Sequence, residues 1–240
     1  MIQKYSNIPY YYTLLTDFIA LLYPEICIGC GETLLKHDKM ICFRCNIEMP
    51  ITHFEKHKDN PVERLFWFKA NIEEAMAGYF FTKKSRIQKM IHSFKYRGNE
   101  ESAIFLGEQL GKMLKTSGRF QSISQIIPVP LHPKKLHIRG YNQAEKIADG
   151  ISNVLNVEVN TTSLLRMEHN ETQTNKGIFS RWKNVKTIFS IHDQTKIKNQ
   201  HILIVDDVIT SGSTIESCAN QILSVNGTKV SLASLAIASG

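Results

Sequence analysis

Ile202-Leu203-Ile204-Val205-Asp206-Asp207-Val208-Ile209-Thr210-Ser211-Gly212-Ser213-Thr214 is the stretch on which the fold turns. Four aliphatic residues in succession predict a strand covered on both faces, as in the middle of a parallel sheet. Two adjacent carboxylates, Asp206 and Asp207, follow where that strand is expected to end, the place where open α/β sheets bind ligands. Unpaired burial of the two acids would be costly, so they call for a cation or hydroxyl donors. Thr210 to Thr214 then leads into a helix predicted from Ser213 or Thr214, with Ile215, Cys218, Ala219 and Ile222 facing inward. The backbone N–H groups and four hydroxyls of this loop suit a phosphate, helped by the positive end of the helix. Gly212 permits close backbone approach. Carboxylates for a diol beside a loop for a phosphate fit a ribose phosphate. The stretch is neither a Walker A loop nor a Gly-x-Gly-x-x-Gly dinucleotide turn. The plainer reading is an ordinary strand, turn and N-capped helix with exposed acids.

Outward from this stretch, strands and helices alternate. Residues 126–129 and 229–237 read as strands, and 142–155 as a helix. Upstream, 75–81 reads as a strand, and Ser85 caps a helix through about Phe94. Asn99 opens another, with Ile104, Leu106, Leu110 and Leu114 at helical spacing. The alternation predicts an α/β domain with a mainly parallel sheet flanked by helices. The polar run from Ser163 through Lys186 has no clear period and reads as a long mobile loop, the kind that serves as a functional lid. The charged segment His53 to Pro61 reads as a linker, which divides the chain into 1–60 and 61–240.

The formal charge of +7 is unevenly placed. Residues 1–60 hold six Lys/Arg against seven Asp/Glu, leaving 23 against 15 for residues 61–240, so the larger part carries the positive field. That field suits a phosphorylated ligand or nucleic acid, or is simply a solvated surface. The apolar stretch Tyr10 to Tyr23 is broken by Thr13, Thr16 and Asp17 and reads as a packed helix over 14–22. It is too short to span a bilayer and lacks signal-peptide flanks, so a cytoplasmic protein is expected. Cys27-x2-Cys30 and Cys42-x2-Cys45 have the spacing of a closed, structural zinc site. A redox dithiol is the alternative.

A second constellation is basic: Lys83, Lys84, Arg86, Lys89, Lys95 and Arg97, interleaved with Phe80, Phe81, Phe94 and Tyr96. Such a segment can track a phosphate backbone and stack bases, although the apolar residues also fit a core-facing helix with solvated lysines. His132 and His137 lack an obvious third ligand, Cys218 falls on an apolar helix face, and Trp67 and Trp182 stay unassigned.

The key stretch resembles the phosphoribosyl-pyrophosphate (PRPP) signature of type I phosphoribosyltransferases, and the chain resembles the ComF (competence protein F, GntX-like) family. A Leu-rich helix precedes the paired Cys-x2-Cys motifs. Phe94-Lys95-Tyr96-Arg97-Gly98, Pro128-Val129-Pro130-Leu131-His132 and Arg139-Gly140-Tyr141-Asn142-Gln143 resemble the family's elements, and Arg166, Gln173, Arg181, Asn184 and Phe189 fall at its spacing. Glu168, Asn170 and Lys176 depart from its pattern. The resemblance implies a type I phosphoribosyltransferase-like domain behind a small four-cysteine zinc ribbon or knuckle. In it Asp206 and Asp207 hold the ribose hydroxyls and Mg²⁺ of PRPP, and Val208, Ile209, Thr210, Ser211, Gly212, Ser213 and Thr214 line the PRPP site. Arg139 would face the pyrophosphate, and Arg166, Gln173 and Arg181 would belong to the lid or acceptor side. It further implies a role in natural transformation, with single-stranded DNA and a helicase-like uptake protein as expected partners. Transfer of phosphoribosyl to an unidentified acceptor is one expectation; a non-catalytic, PRPP-responsive or zinc-dependent adaptor is the other.

Overall fold

The computed structural model describes residues 22–167 and 188–238. The expected helix over 14–22 lies, but for its last residue, outside the described residues, as do Gln173, Arg181, Trp182 and Asn184. Two compact units divide the chain, Met1–Glu48 and Met49–Gly240. In the smaller, an antiparallel bridge joins Ile26 to Thr33, and the short helix α1 (Phe43–Ile47) starts at Cys42.

The larger unit holds helices α2 (Pro61–Phe66), α3 (Arg86–Tyr96), α4 (Glu100–Ser117), α5 (Pro133–Arg139), α6 (Gln143–Leu155) and α7 (Ser213–Leu223). Its main sheet is formed by β1 (Ala75–Phe81), β2 (Gln125–Pro128), β3 (Glu158–Val159), β6 (His201–Ile209) and β7 (Lys229–Ala238). A separate antiparallel pair joins β4 (Leu164–Arg166) to β5 (Phe189–Ile191). The main sheet is parallel throughout, in the order β1-β7-β6-β2-β3. Its centre is dry because the strands there are apolar on both faces: Ile202, Leu203, Ile204 and Val205 are at most 1% exposed. Burial of each such side chain stabilises the fold by about 1.5–3 kcal/mol.

Helix ends follow their capping residues. Ser85 Oγ accepts from the Gln88 N–H at 3.2 Å and starts α3. Asn99 and Asn142 do the same for α4 and α6. Helices α4 and α6 cross where neither has a side chain. A Cβ on Gly107 would lie 2.2 Å from the Ile147 carbonyl oxygen, and one on Gly150 would lie 2.1 Å from that of Ile104.

Three sequence expectations change here. Residues 49–60 pack with the larger unit, so the division falls before the polar segment. The Thr52 N–H donates to the Gly78 carbonyl at 3.0 Å and the Phe80 N–H to that of Pro50 at 2.8 Å, which adds this backbone to the edge of β1. Of its polar side chains Thr52, Glu55 and Asn60 are buried, while His53, Lys56, His57, Lys58 and Asp59 stay exposed. Asn60 donates to the Ala75 carbonyl at 2.8 Å, and Arg119 bonds the His57 carbonyl and the carboxylates of Glu63 and Glu74. Second, the run beginning at Ser163 is not loop from its start, since Leu164–Arg166 form β4 against β5. Third, β6 does not stop at Val205. Only its β2 neighbour ends there, at Pro128↔Val205, while the ladder to β7 continues through Asp206↔Ser234, Val208↔Ala236 and Ile209↔Ile237.

Candidate functional site

Beyond Val205, β6 is paired on one side only, so Asp206 and Asp207 stand at a step in the sheet where β2 has turned away. The Val129 N–H makes the last bond across that step, to the Val205 carbonyl at 2.9 Å. Both acids are half-buried, Val208 is half-buried and Ile209 is buried, which leaves backbone rather than side chain at 209 for a ligand. Thr210, Ser211, Ser213 and Thr214 are exposed around a buried Gly212. Gly212 adopts φ +77° and ψ −2°, and α7 has no side-chain N-cap; the Ser213 N–H makes only a long 3.5 Å contact with Ser211 Oγ, which an anion could replace. The hydroxyls of Ser211 and Ser213 lie 3.1 Å apart. Behind the turn stand Leu65 and Phe66 of α2, which would be 3.1 and 3.0 Å from a Cβ at position 212. No sequence signal marked these two residues, because ordinary apolar helix positions carry no information about their distant neighbours.

The other motif blocks converge on the acids. Lys95 Nζ lies 2.7 Å from Asp207 Oδ2, with both side chains largely buried. Lys95 therefore belongs to the acid pair rather than to an open basic face. The Tyr141 hydroxyl donates to the Phe94 carbonyl, one of the last-turn carbonyls that helix geometry leaves unpaired. The Arg139 guanidinium lies over the Tyr96 ring, 5.6 Å from its centroid, and donates to Gln143 Oε1 at 2.6 Å. Asn142 donates to the Val129 carbonyl at 3.1 Å while capping α6. His132 accepts from the Lys134 N–H at 3.1 Å and so starts α5. Phe94–Gly98, Pro128–His132 and Arg139–Gln143 thus form one bonded frame around the step.

Burial, and after it the adjacent Asp207 charge, push the Asp206 carboxyl up to about 7. The Asp207 N–H, 2.8 Å from Asp206 Oδ1, and the charges of Lys95 and Lys135 oppose the rise. A carboxyl in this condition takes up a cation or a hydroxyl donor readily, because either relieves the repulsion between the acids. Burial raises the Cys218 thiol well above its usual range, Asp206 adds to this and Arg166 opposes it, as befits a packed rather than reactive thiol.

In the smaller unit the sulfurs of Cys27, Cys30, Cys42 and Cys45 all lie within 4.8 Å of one another. Cys30 Sγ and Cys42 Sγ are 3.7 Å apart. Four sulfurs at ~2.3 Å around a tetrahedral ion are separated by ~3.8 Å, so the set fits Zn²⁺. The N–H groups of Gly29 and Cys42 point at Cys27 Sγ from 3.4 and 3.3 Å, and that of Cys45 at Cys42 Sγ from 3.5 Å. Burial raises the Cys27 thiol, but N–H groups of Cys42, Cys30 and Gly29 outweigh it and lower the group to about 6, favouring thiolate.

Of the expected lid residues only Arg166 is described. It lies over the Phe189 ring, 5.4 Å from its centroid, in the β4–β5 pair. In the basic set, Lys83, Lys84, Lys89 and Arg97 are exposed and Arg86 is half-buried. Tyr96 is exposed and its ring lies 4.5 Å from that of His92, whereas Phe94 is buried.

Residues 142–239 match the phosphoribosyl transferase domain family. The DNA utilization protein YhgH of Shigella flexneri is 28% identical over 219 residues, covering 87% of this chain and 88% of its own. Competence protein F of Haemophilus influenzae is 26% identical over 199 residues, covering 79% and 80% respectively. Among solved structures, glutamine PRPP amidotransferase from B. subtilis overlaps 60% of this chain and 30% of its own, at 13% identity and a TM-score of 0.43. By sheet, helices and matched segment, the chain carries a type I phosphoribosyltransferase fold. Over most of its length the chain is similar to the competence protein F and YhgH relatives, and four clustered cysteines precede the matched segment.

Proposed function

We propose that the protein binds PRPP with Mg²⁺ at the β6–α7 step and acts in the handling of single-stranded DNA during natural transformation. The observation that carries the first part is the convergence of two half-buried carboxylates and an open, hydroxyl-rich helix start on one side of a sheet step, inside the matched domain segment. Asp206 and Asp207 accept from the ribose hydroxyls and hold Mg²⁺, directly or through water. The ion supplies neutralisation of the pyrophosphate charge. The N–H groups of the turn at Gly212 and the hydroxyls of Thr210, Ser211, Ser213 and Thr214 take the 5′-phosphate. Arg139, fixed by Gln143 and Tyr96, is aimed at the pyrophosphate. Where turnover occurs, phosphoribosyl transfer passes through an oxocarbenium-like centre, so the protein's work is to orient the sugar, balance the leaving group's charge and keep water out.

The DNA reading draws on the relatives' names and on the exposed Lys83, Lys84, Lys89, Arg97 and Tyr96. The cysteine cluster holds a structural Zn²⁺, and its module is the place for a helicase-like partner. A protein that senses PRPP without consuming it shares all these features. Release of pyrophosphate in the presence of nucleobase or nucleotide acceptors separates the two.

Titration calorimetry with PRPP and Mg²⁺ tests the proposal. Saturable binding is expected for the natural sequence, and a loss of at least about ten-fold, or about 1.4 kcal/mol, for the Asp206→Ala/Asp207→Ala double variant. Unchanged affinity in the variant rejects the placement of the ribose.

A further inference from the structure

The basic residues of α3 are not equivalent. Lys89 points to solvent from the helix, while Lys95 follows the buried Phe94 and lies one turn beyond the buried Ile91, on the border of the packed face. From there its ammonium reaches across the sheet step to Asp207 Oδ2 at 2.7 Å, with 19% and 16% of the two side chains exposed. The helix end that carries it is held on three sides. Tyr141 takes the Phe94 carbonyl, Arg139 covers the Tyr96 ring, and the Arg97 N–H donates to the Ser93 carbonyl at 2.9 Å. An ordinary surface lysine has no such mounting. The charge balance at the step is also incomplete. Two carboxylates share one close ammonium, and Asp206 has the Asp207 N–H at 2.8 Å beside it.

We infer that Lys95 is the internal counter-ion of the acid pair in the ligand-free protein, and that a divalent cation has to take Asp207 from it. This inference rests on the reading of the step as a PRPP site. An ammonium and a divalent cation on one carboxylate repel each other, so the two occupy Asp207 in turn. Displaced from the carboxylate but still fixed at the helix end, the ammonium lies beside the polyphosphate that the cation brings in, and binds it. Lys95 is thus a ligand-binding residue with opposite effects on two ligands: it competes with the bare cation and favours the cation–PRPP complex. A lysine that merely neutralised a buried acid for stability would have no such split.

The test uses the full chain and two probes, Mn²⁺ alone and PRPP at saturating Mg²⁺, at about pH 8.5 so that both carboxyls are ionised. Free Mn²⁺ is followed by its paramagnetic resonance and PRPP binding by calorimetry, for the natural sequence, Lys95→Met and Lys95→Arg. Lys95→Met is expected to bind Mn²⁺ about five-fold more tightly and PRPP about ten-fold more weakly. Lys95→Arg, which keeps the charge, should hold the natural Mn²⁺ affinity, and thermal melting of both variants checks their fold. The inference is overturned if Lys95→Met leaves both affinities unchanged or weakens both alike. Natural protein that binds Mn²⁺ but no PRPP at any cation concentration would instead reject the PRPP reading, leaving the Mn²⁺ comparison to judge the counter-ion.

Discussion

Replacement of Gly212 by alanine should impose a cost that is divided between stability and ligand binding. The backbone at 212 sits at φ +77°, where an L-residue costs about 1–2 kcal/mol. The new methyl would also meet Phe66 Cζ at 3.0 Å and Leu65 Cδ2 at 3.1 Å. Phe66 is 1% exposed and has no room to swing outward, so accommodating the methyl costs about a further 1 kcal/mol. The variant should stay folded, since about 2–3 kcal/mol is less than the usual stability of a domain. If the turn keeps its shape, the whole cost falls on stability, as a melting temperature lowered by about 4–12 °C. If the turn relaxes, part of that loss is recovered, but the N–H groups at the start of α7 move and PRPP binding falls by about ten-fold or more. Urea unfolding and PRPP calorimetry on the same preparation read both parts. Stability within about 0.5 kcal/mol of the natural protein together with unaltered PRPP affinity would refute the argument.

Two further outcomes follow from the groups around the step and from the cysteines. Because the Asp206 carboxyl is raised to about 7 in the folded protein, the fold binds a proton that the unfolded chain has already released. That contribution is fully present below the unfolded value near 4 and is lost as pH rises through about 7. Asp206→Asn should therefore flatten the decline in stability between about pH 4 and 8 and be the more stable protein at the upper end, by at most about 4 kcal/mol; urea midpoints across that range check it. An equal decline in both proteins would show that the carboxyl is not raised. Metal analysis should find about one Zn²⁺ per chain, and chelation should speed amide exchange first within residues 22–48. Absence of zinc after purification under reducing conditions would turn the cluster toward a redox dithiol.

What the sequence disclosed was what depends on local pattern. Residues 75–81 alternate with helices whose caps, Ser85, Asn99 and Asn142, are adjacent to the segments they start, and all three cap as their types suggest. The four-cysteine cluster was legible because four thiols within a short span leave little geometric choice. The end of β6 was not legible, because two acids look like a strand's exit while the bonds that extend it to Ile209 come from Ser234, Ala236 and Ile237 on another strand. The segment His53 to Pro61 looked like a linker since nothing in its sequence shows that Asn60 will bond β1 or that Arg119 will take the His57 carbonyl. Lys95 was grouped with its sequence neighbours on charge. Its partner Asp207 is brought near only by the parallel sheet, and no periodicity records that.

The glycine contact between α4 and α6 reaches further than the two helices. Gly150 lies two turns beyond Asn142, whose amide grips the Val129 carbonyl, and the same helix start carries Tyr141 and Gln143. The gap between the helices therefore sets the height at which that whole polar rim stands above the sheet. A single methyl at 107 or 150 would act as a shim, lifting one end of α6 and tilting the rim away from the acids, although it touches nothing that a ligand would touch. The dimensions of the polar step are in this sense gauged from the dry side of the domain, at two positions that carry no chemistry of their own.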